Sequence, residues 1–192
     1  MQATFTPEEK QFLLDLARKT ITEAVAHNAL PKFDPHGLSN GLTESKGCFV
    51  TLTAGGRLRG CIGNIMPAGP LYKSVMENAR NAALRDPRFT PVRAEEIDEI
   101  HVEISVLTAP QPLAFSSPDD LLAKLQPHKD GVVLQIGFAA ATYLPQVWEQ
   151  LPDKEAFLSS LAQKAGCAAN AWRGPNASVS IYHVEAFEEP RK

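Results

Sequence analysis

The stretch Gly55 to Asn64, GGRLRGCIGN, sets one thiol, Cys61, between Gly60 and Gly63 and two residues after Arg59. Glycines inside a strand cost stability and remove side-chain bulk, which suits a place where a ligand or another backbone comes close. A neighbouring arginine favours thiolate over thiol, and the thiolate is the nucleophilic form. Cys61 and Arg59 are therefore the candidate catalytic pair. The plainer reading stands beside it: free cysteine is among the most buried residue types, packs as a small hydrophobe, and is silenced by apolar surroundings. Cys48 and Cys167 are read that way; Cys167 follows Gly166, where an apolar residue packs back on the last turn of a helix.

Arg80, Arg85, Arg88 and Arg93 form a basic stretch that reads either as a solvated face, balanced by Glu95, Glu96, Asp98 and Glu99, or as an anion site. In the second reading Arg88, on the turn Asp86-Pro87-Arg88-Phe89, offers its planar fork to an anionic substrate. Asp86 would orient an arginine or cap the turn. Thr51, Gly60, Gly63 and Asn64 complete the candidate substrate-binding set. His101 is the best-placed general base, although a lone strand histidine is more often a surface residue. The three cysteines contain no C-x-x-C pair and the five histidines never fall at H-x-x-x-H or H-x-H spacing, so neither a metal nor a cofactor is expected. No Ser-His-Asp order, phosphate-cradling glycine loop or paired-carboxylate signature is present.

These residues need a scaffold, and 192 residues at 44% hydrophobic supply one ordinary core, split at most into two lobes. A net charge of −3 argues against nucleic acid as the main partner. An odd number of cysteines fits reduced thiols better than a disulfide framework. The opening MQATFTPEEKQFLL has acidic residues where a signal peptide needs positive charge, and no stretch is apolar enough to span a bilayer. A cytoplasmic protein with no membrane partner is expected.

Thr6-Pro7-Glu8-Glu9 announces a capped helix to about His27, with Phe12, Leu13, Leu16, Ile21 and Val25 as its apolar stripe. Asn28 to Leu42 reads as a surface loop. Gly47 to Thr53 and Leu58 to Gly63 flank Gly55-Gly56 as a β-hairpin. With Gly55, Gly56 and Arg57 as a three-residue loop, Val50 pairs with Ile62. Val50, Leu52, Leu58 and Ile62 then share one face and Thr51, Thr53, Arg59 and Cys61 the other, so Cys48 and Cys61 cannot bridge. A second helix runs from Gly69-Pro70 to about Leu84, with Leu71, Val75, Ala79 and Ala82 inward, and stops at Asp86-Pro87. Ile100 to Leu107 alternates as a half-buried strand, with His101, Glu103 and Ser105 outward. Ser117 caps a short helix to Leu125. Strands follow at Val132 to Ile136 and near Ala140 to Tyr143. Leu144, Val147, Trp148 and Leu151 form a helical stripe, with Trp148 in the core or at a lobe interface. Pro152 restarts a helix that ends at Ala165-Gly166, and Ser178 to Phe187 is a final strand.

LRGCIG (Leu58 to Gly63), DPRF (Asp86 to Phe89), EISVL (Glu103 to Leu107), LPQVW (Leu144 to Trp148) and KAG (Lys164 to Gly166) together resemble the AMMECR-domain family, whose bacterial members are called AmmeMemoRadiSam system protein A. The motifs fall in the family's order and span roughly residues 8 to 188. The resemblance implies an α+β fold, a mainly antiparallel sheet flanked by helices, in two lobes with a cleft between them and LRGCIG near that cleft. The whole chain, residues 1–192, is then a single AMMECR-like domain. It also implies a Memo-like protein and a radical S-adenosylmethionine protein as partners, and marks residues 58–63 and 86–89 as the family's signatures. Two functions stay open. One is an enzyme or enzyme subunit of such a system that uses the Cys61 thiolate on a small, anionic substrate. The other is a non-catalytic binding or scaffold subunit for those partners.

Overall fold

The structure is a computed structural model in which residues 5–190 are described; the first four residues of the opening stretch lie outside them. Thr6 starts helix α1 (Pro7–His27) with a complete capping box: the Thr6 hydroxyl accepts from the Glu9 N–H at 3.2 Å, and the Glu9 carboxylate accepts from the Thr6 N–H at 2.9 Å. Asn28 closes the helix in the left-handed conformation, φ 51°. The expected loop that follows contains a one-turn helix, α2 (Asn40–Thr43), because Leu42 is buried beneath the loop.

The hairpin forms from β1 (Gly47–Ala54) and β2 (Arg57–Asn64). Val50 pairs with Ile62 as the sequence predicts, but through a different device. The loop is two residues, Gly55 and Gly56, both with positive φ, which is the turn whose twist matches the strands. Leu52 pairs with Gly60 and Thr53 with Leu58, so Arg59 is an extra residue with no partner, a β-bulge. The bulge restores the register that a three-residue loop would have produced. Its cost is local: Leu58 is not on the apolar face with Val50 and Leu52 but pairs with Thr53 and is 44% exposed.

Helix α3 (Leu71–Leu84) buries Leu71, Val75, Ala79 and Ala82, as its spacing predicts. A 3-10 helix at Ala94–Glu99, which the sequence reading missed, leads into β3 (Ile100–Leu107). The chain divides into two units, one ending at Leu107 and resuming at Glu185, the other Thr108–Val184. The first unit holds a four-stranded sheet in the order β2-β1-β3-β8, where β8 is Val184–Glu188. Leu13, Ala17 and Ile21 of α1 and the inward face of α3 cover one side of it, against Cys48, Val50, Leu52, Val102, Ile104 and Val106. Each fully buried aliphatic side chain there contributes about 1.5–3 kcal/mol.

The second unit holds a four-stranded antiparallel sheet in the order β4-β7-β5-β6, from β4 (Gln111–Pro112), β5 (Gly131–Ile136), β6 (Ala139–Tyr143) and β7 (Ala177–Tyr182). Helices α4 (Pro118–Lys124) and α5 (Lys154–Lys164) complete it. Trp148 is core: it stacks on Phe157 at 3.6 Å between ring centroids and donates to the Asp130 carbonyl at 2.8 Å. Its segment, Pro145–Glu149, is a 3-10 helix in which the Val147 and Gln150 N–H groups donate to the Leu144 and Val147 carbonyls. Asp153, not Pro152, caps α5, accepting from the Ala156 N–H. The helix closes with Gly166 at φ 80° and the Cys167 N–H on the Ala162 carbonyl.

The single final strand of the sequence reading is two. His183 donates its N–H to the Thr108 hydroxyl and accepts from the Thr108 N–H, so the ladder breaks there. β7 belongs to the second sheet and β8 to the first. No described helix is long and apolar enough to cross a membrane.

Candidate functional site

Cys61 pairs with Thr51, and directly opposed residues share a face. The Thr51 hydroxyl donates to the Cys61 sulfur at 3.3 Å. Cys61 is partly exposed, on the side of the sheet away from the helices, whereas Cys48 is fully buried on the other side. Burial pushes the Cys48 thiol up to about 11, against a smaller opposing effect of the Asn78 amide. We therefore expect one selective labelling: native protein treated with iodoacetamide near neutral pH carries the adduct at Cys61 and none at Cys48, and Cys48 reacts only after denaturation. Peptide mass spectrometry reads both sites, and modification of Cys48 in the folded protein would contradict its buried placement.

The turn after α3 reaches the same residue. Asp86 is buried, and one carboxylate oxygen accepts from the Cys61 N–H at 2.9 Å and from Arg88 Nη2 at 2.7 Å. Its second oxygen accepts from the Arg88 N–H and Nε. Arg88 Nη2 also donates to the Cys61 carbonyl at 3.1 Å while its side chain stays 53% exposed. Hydrogen bonds from Arg88 hold the Asp86 carboxyl far below the ordinary carboxylate range, outweighing the opposing effect of burial. Asp86 thus orients an arginine, as its sequence position suggested, and fixes the Cys61 backbone as well.

Arg59 does otherwise. Its guanidinium forks onto Glu96, at 2.8 and 3.1 Å, and donates to the Thr90 carbonyl. The same pairing, with the Arg93 N–H, brings Glu96 down to about 2. The bulge redirects Arg59 into this ion pair, so the cation beside Cys61 is Arg88, against the pairing read from the sequence.

The glycines open space for the chain itself. A Cβ on Gly60 would lie 2.2 Å from the Ala82 carbonyl oxygen of α3, and one on Gly63 would lie 2.3 Å from the Phe49 ring and 2.4 Å from the Cys48 carbonyl oxygen. Asn64 accepts from Asn78 and donates to the Met66 carbonyl. His101 sits 3.2 Å from Glu188. The structure therefore brings together Cys61, Thr51 and Arg88 with Asp86, and places Arg59, Gly60, Gly63 and Asn64 in supporting contacts. The sequence reading missed Asn78, took Glu96 only as a balancing surface charge, and gave no role to Glu103, which lies directly opposite Thr51 on β3. Glu103 was legible only as outward-facing. Among the described residues no group of three or more histidine, cysteine, aspartate and glutamate side chains is placed to hold a metal ion.

Comparison with known proteins adds three findings. The AMMECR1 family model matches residues 14–187. A protein of Thermococcus gammatolerans is 39% identical over 187 residues, covering 93% of this chain and 89% of its own, and one of Methanothermobacter thermautotrophicus is 37% identical over 188 residues, covering 97% of each. Among solved structures, the uncharacterized protein PH0010 from Pyrococcus horikoshii superposes with a TM-score of 0.85 at 34% identity, over 96% of this chain and 93% of that one.

Proposed function

This chain belongs to the AMMECR1 family, and from that premise and the geometry around Cys61 we propose that it is an enzyme, or an enzyme subunit, that uses the Cys61 sulfur on a small anionic substrate. One observation carries the reading: the sulfur of a partly exposed cysteine takes a hydrogen bond from Thr51 beside a half-exposed arginine side chain, and a single buried carboxylate fixes both the cysteine backbone and that guanidinium. In this reading Cys61 is the nucleophile, Thr51 holds the sulfur, Arg88 takes the carboxylate or phosphate of the substrate, and Asp86 positions the two. The family resemblance adds the setting, a system with a Memo-like protein and a radical S-adenosylmethionine protein.

A second reading has its own support. Gly60 and Gly63 make room for Ala82, Phe49 and Cys48 of this chain, which fits a non-catalytic subunit that grips those partners, with Cys61 incidental. One experiment separates the readings. Cys61→Ala should leave folding and capture of the Memo-like partner intact while abolishing the metabolite difference between cells with and without the gene. Unchanged metabolites with intact binding would favour the scaffold. In parallel, native Cys61 should react with anionic iodoacetate about tenfold faster relative to neutral iodoacetamide than it does in Arg88→Ala, a factor of ten being ~1.4 kcal/mol of attraction. Equal ratios would remove the anion-holding role.

A further inference from the structure

The outer face of the first sheet carries a second ionisable group in line with the sulfur. Thr51 on β1 is paired on one side with Cys61 on β2 and on the other with Glu103 on β3. All three side chains project from the same face, in a row across three strands. Neighbouring strands are about 4.8 Å apart, so the Cys61 and Glu103 backbones are separated by roughly 10 Å, with the Thr51 hydroxyl between them. A molecule of a few heavy atoms lying over Thr51 would touch the sulfur at one end and the longer glutamate side chain at the other.

Glu103 is unusual for a surface glutamate. It is half-buried, and among the described residues no lysine, arginine or histidine forms an ion pair with it. The ionisable groups that bear on it are His101 on its own strand and Glu188 on β8, with a hydrogen bond from Ser105; of the two, His101 sits against Glu188 at 3.2 Å. Burial first, and the Glu188 charge second, raise its carboxyl above the ordinary value. Every other carboxylate near the site has a cationic partner: Asp86 has Arg88 and Glu96 has Arg59. A half-buried carboxyl with no ion-pair partner, opposed only by the weaker pulls of Ser105 and His101, costs stability, and such groups concentrate where proton transfer is needed.

We propose that Glu103 is the acid–base residue of the Cys61 face, acting on small anionic carbonyl compounds held by Arg88. This rests on the reading of Cys61 as a nucleophile. In the addition step the thiol has first lost its proton to solvent. The sulfur forms an S–C bond to the carbonyl carbon, the C=O π pair moves to oxygen, and that oxygen takes the proton of the Glu103 carboxyl. The products are a hemithioacetal on Cys61 and a Glu103 carboxylate. Reversal returns the proton to Glu103 and releases the carbonyl compound, so no oxidant or reductant is consumed.

Two probes on the full chain distinguish the parts. Glyoxylate, a small anionic aldehyde, adds to a thiol reversibly and needs a proton delivered to oxygen. Iodoacetamide alkylates by displacing iodide and needs none. Capture of glyoxylate at pH 6 is followed as protection of the Cys61 peptide against a short iodoacetamide pulse. Glu103→Gln should slow glyoxylate capture by about 100-fold, the low end of what a positioned acid contributes, while iodoacetamide alkylation in its absence is unchanged or faster. A merely structural role for Glu103 would move both rates in the same direction, and that result overturns the proposal. So does unaltered glyoxylate capture in Glu103→Gln with Cys61 still reactive. If wild-type Cys61 reacts with neither probe, the nucleophile reading itself falls. Should Glu103→Gln fail to fold, Glu103→Asp serves: it keeps the acid but withdraws it by one methylene, and capture should fall while alkylation holds.

Discussion

Gly60→Ala destabilises the protein by about 3 kcal/mol or more. The new Cβ would sit 2.2 Å from the Ala82 carbonyl oxygen and 3.1 Å from its carbonyl carbon. Those are backbone atoms of a helix whose Val75, Ala79 and Ala82 are buried in the core, so no side chain can swing aside. Either α3 shifts off the sheet or β2 bends away from it, and overpacking of this kind costs ~1–3 kcal/mol even where side chains can adjust. Gly69→Ala is the control: nothing lies within 4 Å of its added Cβ, and a change inside about ±0.5 kcal/mol is expected. Urea unfolding of the two variants reads both. A loss under ~1 kcal/mol at Gly60 would mean that the close packing of β2 on α3 is not what the glycine is for.

Asp86→Asn should cost about 2–3 kcal/mol at neutral pH and change the chemistry of the site as well. The carboxylate accepts four hydrogen bonds, from the Cys61 N–H and from the Arg88 N–H, Nε and Nη2. Charged hydrogen bonds are worth about 1.5–3 kcal/mol each when buried, and the sum is discounted because Arg88 is half exposed. The pH dependence has a definite sign. The folded carboxyl is depressed below its unfolded value near ~3.9. Its contribution is therefore fully present above that value and is lost as pH falls from there through the folded value. The stability gap between wild type and Asp86→Asn should be flat from pH 7 to about 5 and narrow below about 4. A gap that narrows between pH 7 and 5 would contradict the depressed carboxyl. The same substitution loosens Arg88, so the preference of Cys61 for iodoacetate over iodoacetamide should fall toward that of Arg88→Ala. Loss of stability with an unchanged preference would separate Asp86 from the site.

The candidate site was legible in part. Cys61 could be placed opposite Thr51, and on the other face from Cys48, because the apolar sorting of Val50 and Leu52 leaves one consistent hairpin register. Asp86 could be read as an arginine-orienting residue because it lies two residues from Arg88. Arg59 could not be read correctly. Its place two residues from Cys61 is what an alternating strand would give, but the bulge at Arg59 breaks that alternation. The two-glycine turn and the bulge produce the same Val50–Ile62 pairing as a three-residue loop, and they differ only at Leu58, where apolar sorting favours the loop the chain does not use.

What the sequence by itself determined are features written within a dozen residues: the capped starts of α1 and α4, the glycine stop of α5, the alternation of β3 from Ile100 to Ile104, the helical stripe of α3, and the motifs by which the family is recognised. Capping and periodicity are local backbone physics, and they survive in any surroundings the chain provides. What only the tertiary structure decided are the partners: Glu96 for Arg59 across 37 residues, Asp86 for the Cys61 N–H across 25, Ala82 against Gly60, Glu103 in line with Thr51, and the change of sheet at His183. A guanidinium meets many carboxylates in the sequence on equal terms, and a strand's alternation looks the same whichever sheet it joins. The choice is made when the surfaces that bury apolar area come together and bring particular polar groups within hydrogen-bonding distance.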